Sequence, residues 1–200
     1  PNKIHEEMVS SKVSGMNNAF SFNKASDMIV NFYENLLLEG SGLSSRSFVS
    51  PIADNALFYY KYKLLGTTEE NGITINKIEI IPRRKNDPVF RGVIYIADES
   101  WRLVGTNVYL TEDAGINFVD TLNISQEFNK VENTYMPHNM TFQFKGNALG
   151  FKFEGYFVSI YNNYKINPNF PKKYFTPEIL KITRAVNKKR TERIAFRMGD

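Results

Sequence analysis

Two hundred residues, 42% of them hydrophobic with a mean hydropathy of −0.36, give a chain able to bury a core and far from the polar compositions that stay disordered. The absence of Cys excludes disulfides, thiolate metal sites and cysteine nucleophiles together. The net charge of +4 is concentrated: from Lys165 onward ten basic residues face three acidic ones, while residues 1–164 carry 15 basic and 18 acidic groups. The basic surplus therefore belongs to the C-terminal segment and not to the body of the chain, which argues against nucleic acid as a partner.

Pro1 stands where a start methionine would be, and the first residues show no leader pattern, so the chain reads as an excised piece of a longer protein. Residues 1–22 form a polar approach segment. A helix is expected over 26–39: Ser26 as N-cap, Asp27 at the positive end of the dipole, Met28, Ile29, Phe32, Leu36 and Leu37 on one stripe, and Gly40 as the stop. Ser50 before Pro51 predicts a further single helical turn. In LFYYKYKLLG, Phe58, Tyr60, Tyr62 and Leu64 share one strand face against Lys61 and Lys63, and TTEENG reads as a turn. The next strand places Ile78 and Ile80 inward and Lys77 and Glu79 outward.

GVIYIADESWRLVGTNVYL reads as a hairpin with Asp98, Glu99 and Ser100 in its loop. One face gathers Ile94, Ile96, Val104, Val108 and Leu110, and the other Val93, Tyr95, Trp101, Leu103, Gly105 and Tyr109. Three more strands follow, in VDTLNISQEFN, NMTFQFK and GFKFEGYFVSIYNNY. The last carries Phe151, Phe153 and Phe157 on one face and Tyr156, Val158 and Ile160 on the other. Thr176 and Pro177 open a short C-terminal helix with Leu180, Ile182 and Val186, and residues 188–200 read as a basic, solvated linker.

These elements define an expected α+β fold: a curved, incompletely closed antiparallel sheet, a half-barrel over residues 23–187, wrapped on the N-terminal helix. Apolar residues on both strand faces then imply an apolar cavity. Tyr95, Trp101, Leu103 and Tyr109 are its candidate lining, although a hairpin-end core position is the favoured reading of Trp101, and an ordinary core role that of Tyr95 and Tyr109. A lipid, a lipoprotein acyl chain or an extended peptide would fit such a lining.

Catalysis is difficult to assemble from these residues. His5 and His138 are far apart, and Glu69–Glu70, Asp98–Glu99 and Glu112–Asp113 are turn pairs whose adjacent members point to opposite strand faces. No metal-binding, phosphate-binding or nucleophile motif is present, so no cofactor or metal is expected. A glycan or peptide hydrolase using carboxylates from separate strands is the enzymatic alternative, and a passive spacer the structural one.

The segments KVSGMNNAFSFNKASDM, SFVSPIADNALFYYKYKLLG, INKIEIIPRRKNDPVFRGVIYIADESWRLVGTNVYLT, INFVDTL and GYFVSIYNNYKINPNFPKKYF resemble an uncharacterised group of Gram-negative outer-membrane proteins. Those proteins carry an N-terminal carboxypeptidase-regulatory-like β-sandwich, then a segment like this one, then a C-terminal membrane β-barrel. The resemblance implies a non-enzymatic domain on the periplasmic side of the outer membrane. It departs at NKKRTERIAFRMGD, where the group runs on towards a stretch bearing aromatics and Pro. The order of helix, strands and G-x-I-Y-I…W-R-L is also similar to the lipoprotein-carrier (LolA/LolB-like) fold. Neither resemblance implies catalytic residues.

Overall fold

The computed structural model describes residues 6–8, 30–39, 43–117, 119–148, 150–171 and 180–182. The chain divides into two compact units, one of Pro1–Ile29 with Lys165–Asp200 and one of Val30–Tyr164. In the first, β1 (Glu6–Met8) and β11 (Leu180–Ile182) pair in parallel, Glu6 opposite Leu180 and Met8 opposite Ile182.

The second unit contains β2 (Leu36–Leu37), β3 (Phe48–Val49), β4 (Tyr60–Glu70), β5 (Ile73–Pro82), β6 (Arg91–Ala97), β7 (Leu103–Thr111), β8 (Thr121–Val131), β9 (Thr134–Ala148) and β10 (Phe151–Ile160). Strands β4 to β10 form one seven-stranded antiparallel sheet in strict chain order, with β4 and β10 at its edges. The β4–β5 turn is only Asn71–Gly72. Both residues have positive φ, 52° and 74°, the left-handed pair that a two-residue hairpin turn requires. The strands therefore run four residues further into TTEENG than the sequence pattern implies.

The expected α+β half-barrel is not formed. Among the described residues no α-helix occurs, and the helical pieces are single 3-10 turns at Ala56–Phe58 and Glu112–Ala114. The described part of the expected 26–39 helix, Val30–Glu39, is a run of turns and bends that ends in β2; Ser26 to Ile29 lie outside the described residues. Side chains redirect its backbone. The Tyr33 N–H donates to Asn31 Oδ1 at 3.2 Å, and the Asn35 carbonyl accepts the Ser50 N–H at 3.0 Å. Asn35 Oδ1 also accepts the Asp54 N–H at 3.0 Å. The first of these is the local alternative that an Asn side chain offers to helical hydrogen bonds, the other two tie Asn35 to the Ser50–Asp54 turn, and together they win. The expected C-terminal helix fails likewise where it is described, because Leu180–Ile182 is β11. Among the described residues no helix supplies the feature on which the lipoprotein-carrier resemblance rested.

What covers the sheet instead is the irregular segment 30–59. Period-2 alternation sends Tyr60, Ile80, Ile94, Val108, Leu110, Leu122, Ile124, Met140 and Phe142 to one buried face. Phe32, Phe48 and Phe90 meet over that face, with centroids 5.9 Å apart for Phe32–Phe90 and for Phe48–Phe90. Leu37 pairs with Phe48 and Leu36 with Val49, and Val49 bridges to Val89. Polar anchors hold the cover down. Ser50 Oγ donates to the Phe32 carbonyl, Gln126 Nε2 donates to the Val30 carbonyl at 3.3 Å, and the Leu103 N–H donates to Tyr33 Oη at 3.1 Å.

Tyr60 joins cover to sheet. Its buried hydroxyl donates to the Val49 carbonyl at 2.6 Å and accepts the Phe90 N–H at 3.0 Å. Burial pushes its pKa well above the ordinary tyrosine value of 10.0, and burial pushes that of Tyr62 up to about 12. A raised phenol pKa favours the neutral form in the fold, so this contribution is whole below pH 10 and drains away as pH rises through 12. Urea unfolding followed by circular dichroism should show stability falling steeply above pH 10. Tyr60→Phe should lose about 1–3 kcal/mol at pH 7, because two buried backbone groups lose their partner. The same variant should show a shallower alkaline decline. An unchanged decline would contradict the assignment.

Candidate functional site

The four residues singled out from the sequence do not converge. Tyr95 on β6 and Tyr109 on β7 lie on the face of the sheet opposite the 30–59 cover, where Tyr109 is exposed between Arg91 and Asn123 in the ladder. Tyr95 pairs with Gly105, and its ring shields that glycine: Tyr95 Cδ2 lies 3.4 Å from where a Cβ on Gly105 would be. Leu103 faces the other way. A β-bulge between Tyr95 and Ile96 shifts the ladder, which pairs Ile94 with Thr106 but Ile96 with Leu103. The extra residue reverses the alternation, and Leu103 becomes part of the buried core. Trp101 is 73% exposed in the β6–β7 turn, with φ 55° and its N–H donated to the Ala97 carbonyl. It stands outside the core.

The carboxylate pairs sit apart. Glu69–Glu70 end β4, Asp98–Glu99 occupy the β6–β7 turn, and Glu112–Asp113 begin a 3-10 turn at the other end of β7. Asp98 accepts from Asn76 Nδ2 at 3.3 Å, and Asp113 pairs with Lys85 at 3.4 Å. His138 falls at the bulge between β8 and β9, and its carbonyl accepts the Tyr161 N–H. Among the described residues, no three His, Asp or Glu side chains form a group able to hold a metal.

The two edge strands are the distinctive surfaces of the sheet, and they differ. β4 is guarded: Lys61 and Lys63 project from it, and a bulge between Leu64 and Gly66 breaks its regular edge. Charge and irregularity of this kind keep an edge from pairing with another chain. β10 carries neither bulge nor proline. Ten consecutive pairs join it to β9, from Phe151 opposite Ala148 to Ile160 opposite Asn139. On its open face Tyr156, Val158 and Ile160 are 74%, 52% and 66% exposed, beside Gln143, Thr141 and Asn139 of β9. On its other face the Phe144 ring lies directly over Gly155, stacked on Phe157 with centroids 5.8 Å apart. Any side chain at Gly155 would collide with that ring, and the stack keeps β10 in register. The signal was present in the sequence, as two apolar faces on GFKFEGYFVSIYNNY; one of them is an exposed apolar row, Tyr156, Val158 and Ile160, and not a cavity wall.

An all-β protein built on one antiparallel meander is thus the class that the fold defines. The profile of a family of unknown function (DUF5686) matches residues 1–164, and the chain belongs to that family. No curated protein and no solved structure matches the chain.

Proposed function

We propose that this chain is a non-enzymatic domain of an outer-membrane β-barrel protein, facing the periplasm, and that the open face of β10 receives an extended apolar segment. The exposed row Tyr156, Val158 and Ile160 carries the reading: three apolar side chains alternate along one face of the strand, beside Gln143, Thr141 and Asn139 of β9. Covering that row removes apolar area from water and selects for an apolar guest. The compartment is supported by the resemblance of KVSGMNNAFSFNKASDM and the other quoted segments to outer-membrane proteins. The affinity comes from an exposed face of the sheet, in place of the internal cavity that the half-barrel implied.

Photo-crosslinking tests the reading in the intact full-length protein in cells. A benzophenone amino acid at Val158 or Tyr156 should give a crosslinked product from the periplasm, and one at Lys63 on guarded β4 should not. Absence of a product at both β10 positions would leave the domain a passive spacer. A product found only in the cytoplasm would overturn the compartment.

A further inference from the structure

The start of β4 presents a second surface, independent of β10. The 3-10 turn Ala56–Phe58 buries Ala56 but leaves Leu57 and Phe58 70% and 76% exposed, side by side at one end of the sheet. Arg83, at the end of β5, is fixed against this tip. Its Nε donates to the Leu57 carbonyl at 2.8 Å and to the Tyr60 carbonyl at 3.0 Å, and its N–H donates to the Tyr59 carbonyl. No carboxylate among the described residues forms an ion pair with Arg83, Lys61 or Lys63.

The charge around the tip is predominantly positive. Residues 56–63 and 81–87, which meet where Tyr60 pairs with Pro82, contain Lys61, Lys63, Arg83, Arg84 and Lys85; the acids against them are Asp87, paired with Arg84 at 2.8 Å, and Asp113, paired with Lys85 at 3.4 Å. At the far end of the same hairpin, residues 67–74 carry Glu69 and Glu70 and no base. The β4–β5 hairpin is therefore apolar and basic at one end and acidic at the other. Two exposed apolar side chains ringed by cations complement a surface whose interior is hydrocarbon and whose rim is anionic.

We propose that this end of the sheet is a membrane-contact surface for an anionic phospholipid leaflet, with Leu57 and Phe58 entering the acyl boundary and Lys61, Arg83, Arg84 and Lys85 facing the headgroups. The acidic Asn71–Gly72 turn then points away from the bilayer. The inference does not rest on the apolar row of β10, which lies at the other end of the strand order, so either can fail alone.

Co-sedimentation of the 200-residue chain with vesicles tests it. The chain should pellet with phosphatidylglycerol-containing vesicles and stay in solution with pure phosphatidylcholine, and raised salt should release it. L57S/F58S should weaken binding on the order of tenfold or more, the effect of losing two buried apolar side chains. K61S/K85S should weaken it on the order of fivefold per residue, and only on anionic vesicles. All four positions are exposed, so both variants should melt like the parent. F58W placed in a W101F background gives the bound geometry directly: its emission should shift to the blue and be quenched by brominated acyl chains. Equal binding to neutral vesicles, no binding at all, parent-like binding by L57S/F58S, or an unquenched F58W would each overturn the proposal.

Discussion

Gly92→Ala should lower the unfolding free energy by about 3 kcal/mol or more, among the largest losses available to a single added methyl group in this sheet. Gly92, the second residue of β6, has φ 121°, a conformation side chains rarely adopt. A Cβ there would also run into the backbone of β7, at the Asn107 carbonyl oxygen and 2.9 Å from Val108 Cα. Neither obstacle relaxes by a rotamer change. The strand would have to separate from β7 at the Gly92–Val108 pair, under the buried row of Ile80, Val108 and Ile124. Urea denaturation of the two proteins measures the difference. A loss below about 1 kcal/mol would mean that β6 and β7 do not approach as closely as described.

Phe32→Ala should cost about 3–5 kcal/mol, the usual range for removing a fully buried phenylalanine. Phe32 is inaccessible to solvent although it lies in a segment without regular structure, and it meets Phe90 edge to face. The same experiment distinguishes the irregular cover from an amphipathic helix. On a helix of the expected stripe, Leu36→Ala would cost nearly as much. Here Leu36 is exposed, so its substitution should fall within about 1 kcal/mol of the parent. Equal losses at the two positions would restore the helix.

These residues also show how far the sequence could be read. Alternation in β5, β8 and β9 matched the buried faces, because a strand residue's parity is a local property. Gln126 shares the parity of Leu122 and Ile124 but is not singled out by the sequence pattern, and the structure uses it to hold the Val30 carbonyl. Parity failed at β7, since one bulge residue reverses every side chain beyond it and leaves no mark in composition. The helix prediction failed for a different reason. The spacing of Phe32, Leu36 and Leu37 suits a helical stripe, but Asn31 and Asn35 have nearer hydrogen-bond partners, two of them in the Ser50–Asp54 turn. Those partners are remote in sequence, so no local pattern announces them. The candidate site suffered from both errors: without the bulge Leu103 joins Tyr95, and with a helix assigned to one face the apolar residues on the other had to be explained by a cavity. That β10 comes last among the described strands of the sheet is a matter of topology, which no local pattern carries.

The strand order sets a timetable for folding. Every neighbour in the seven-stranded sheet is also the next strand in the chain, so each closure is a short hairpin and the sheet is able to zip up step by step. The cover obeys a different clock. Tyr33 waits for a partner 70 positions downstream and Val30 for one 96 positions downstream. Residues 30–39 are thus among the first of this unit to be synthesised and the last to be secured. Until Leu103 and Gln126 arrive, Phe32 and Phe48 remain in water, and in that interval a nascent chain has most need of a chaperone.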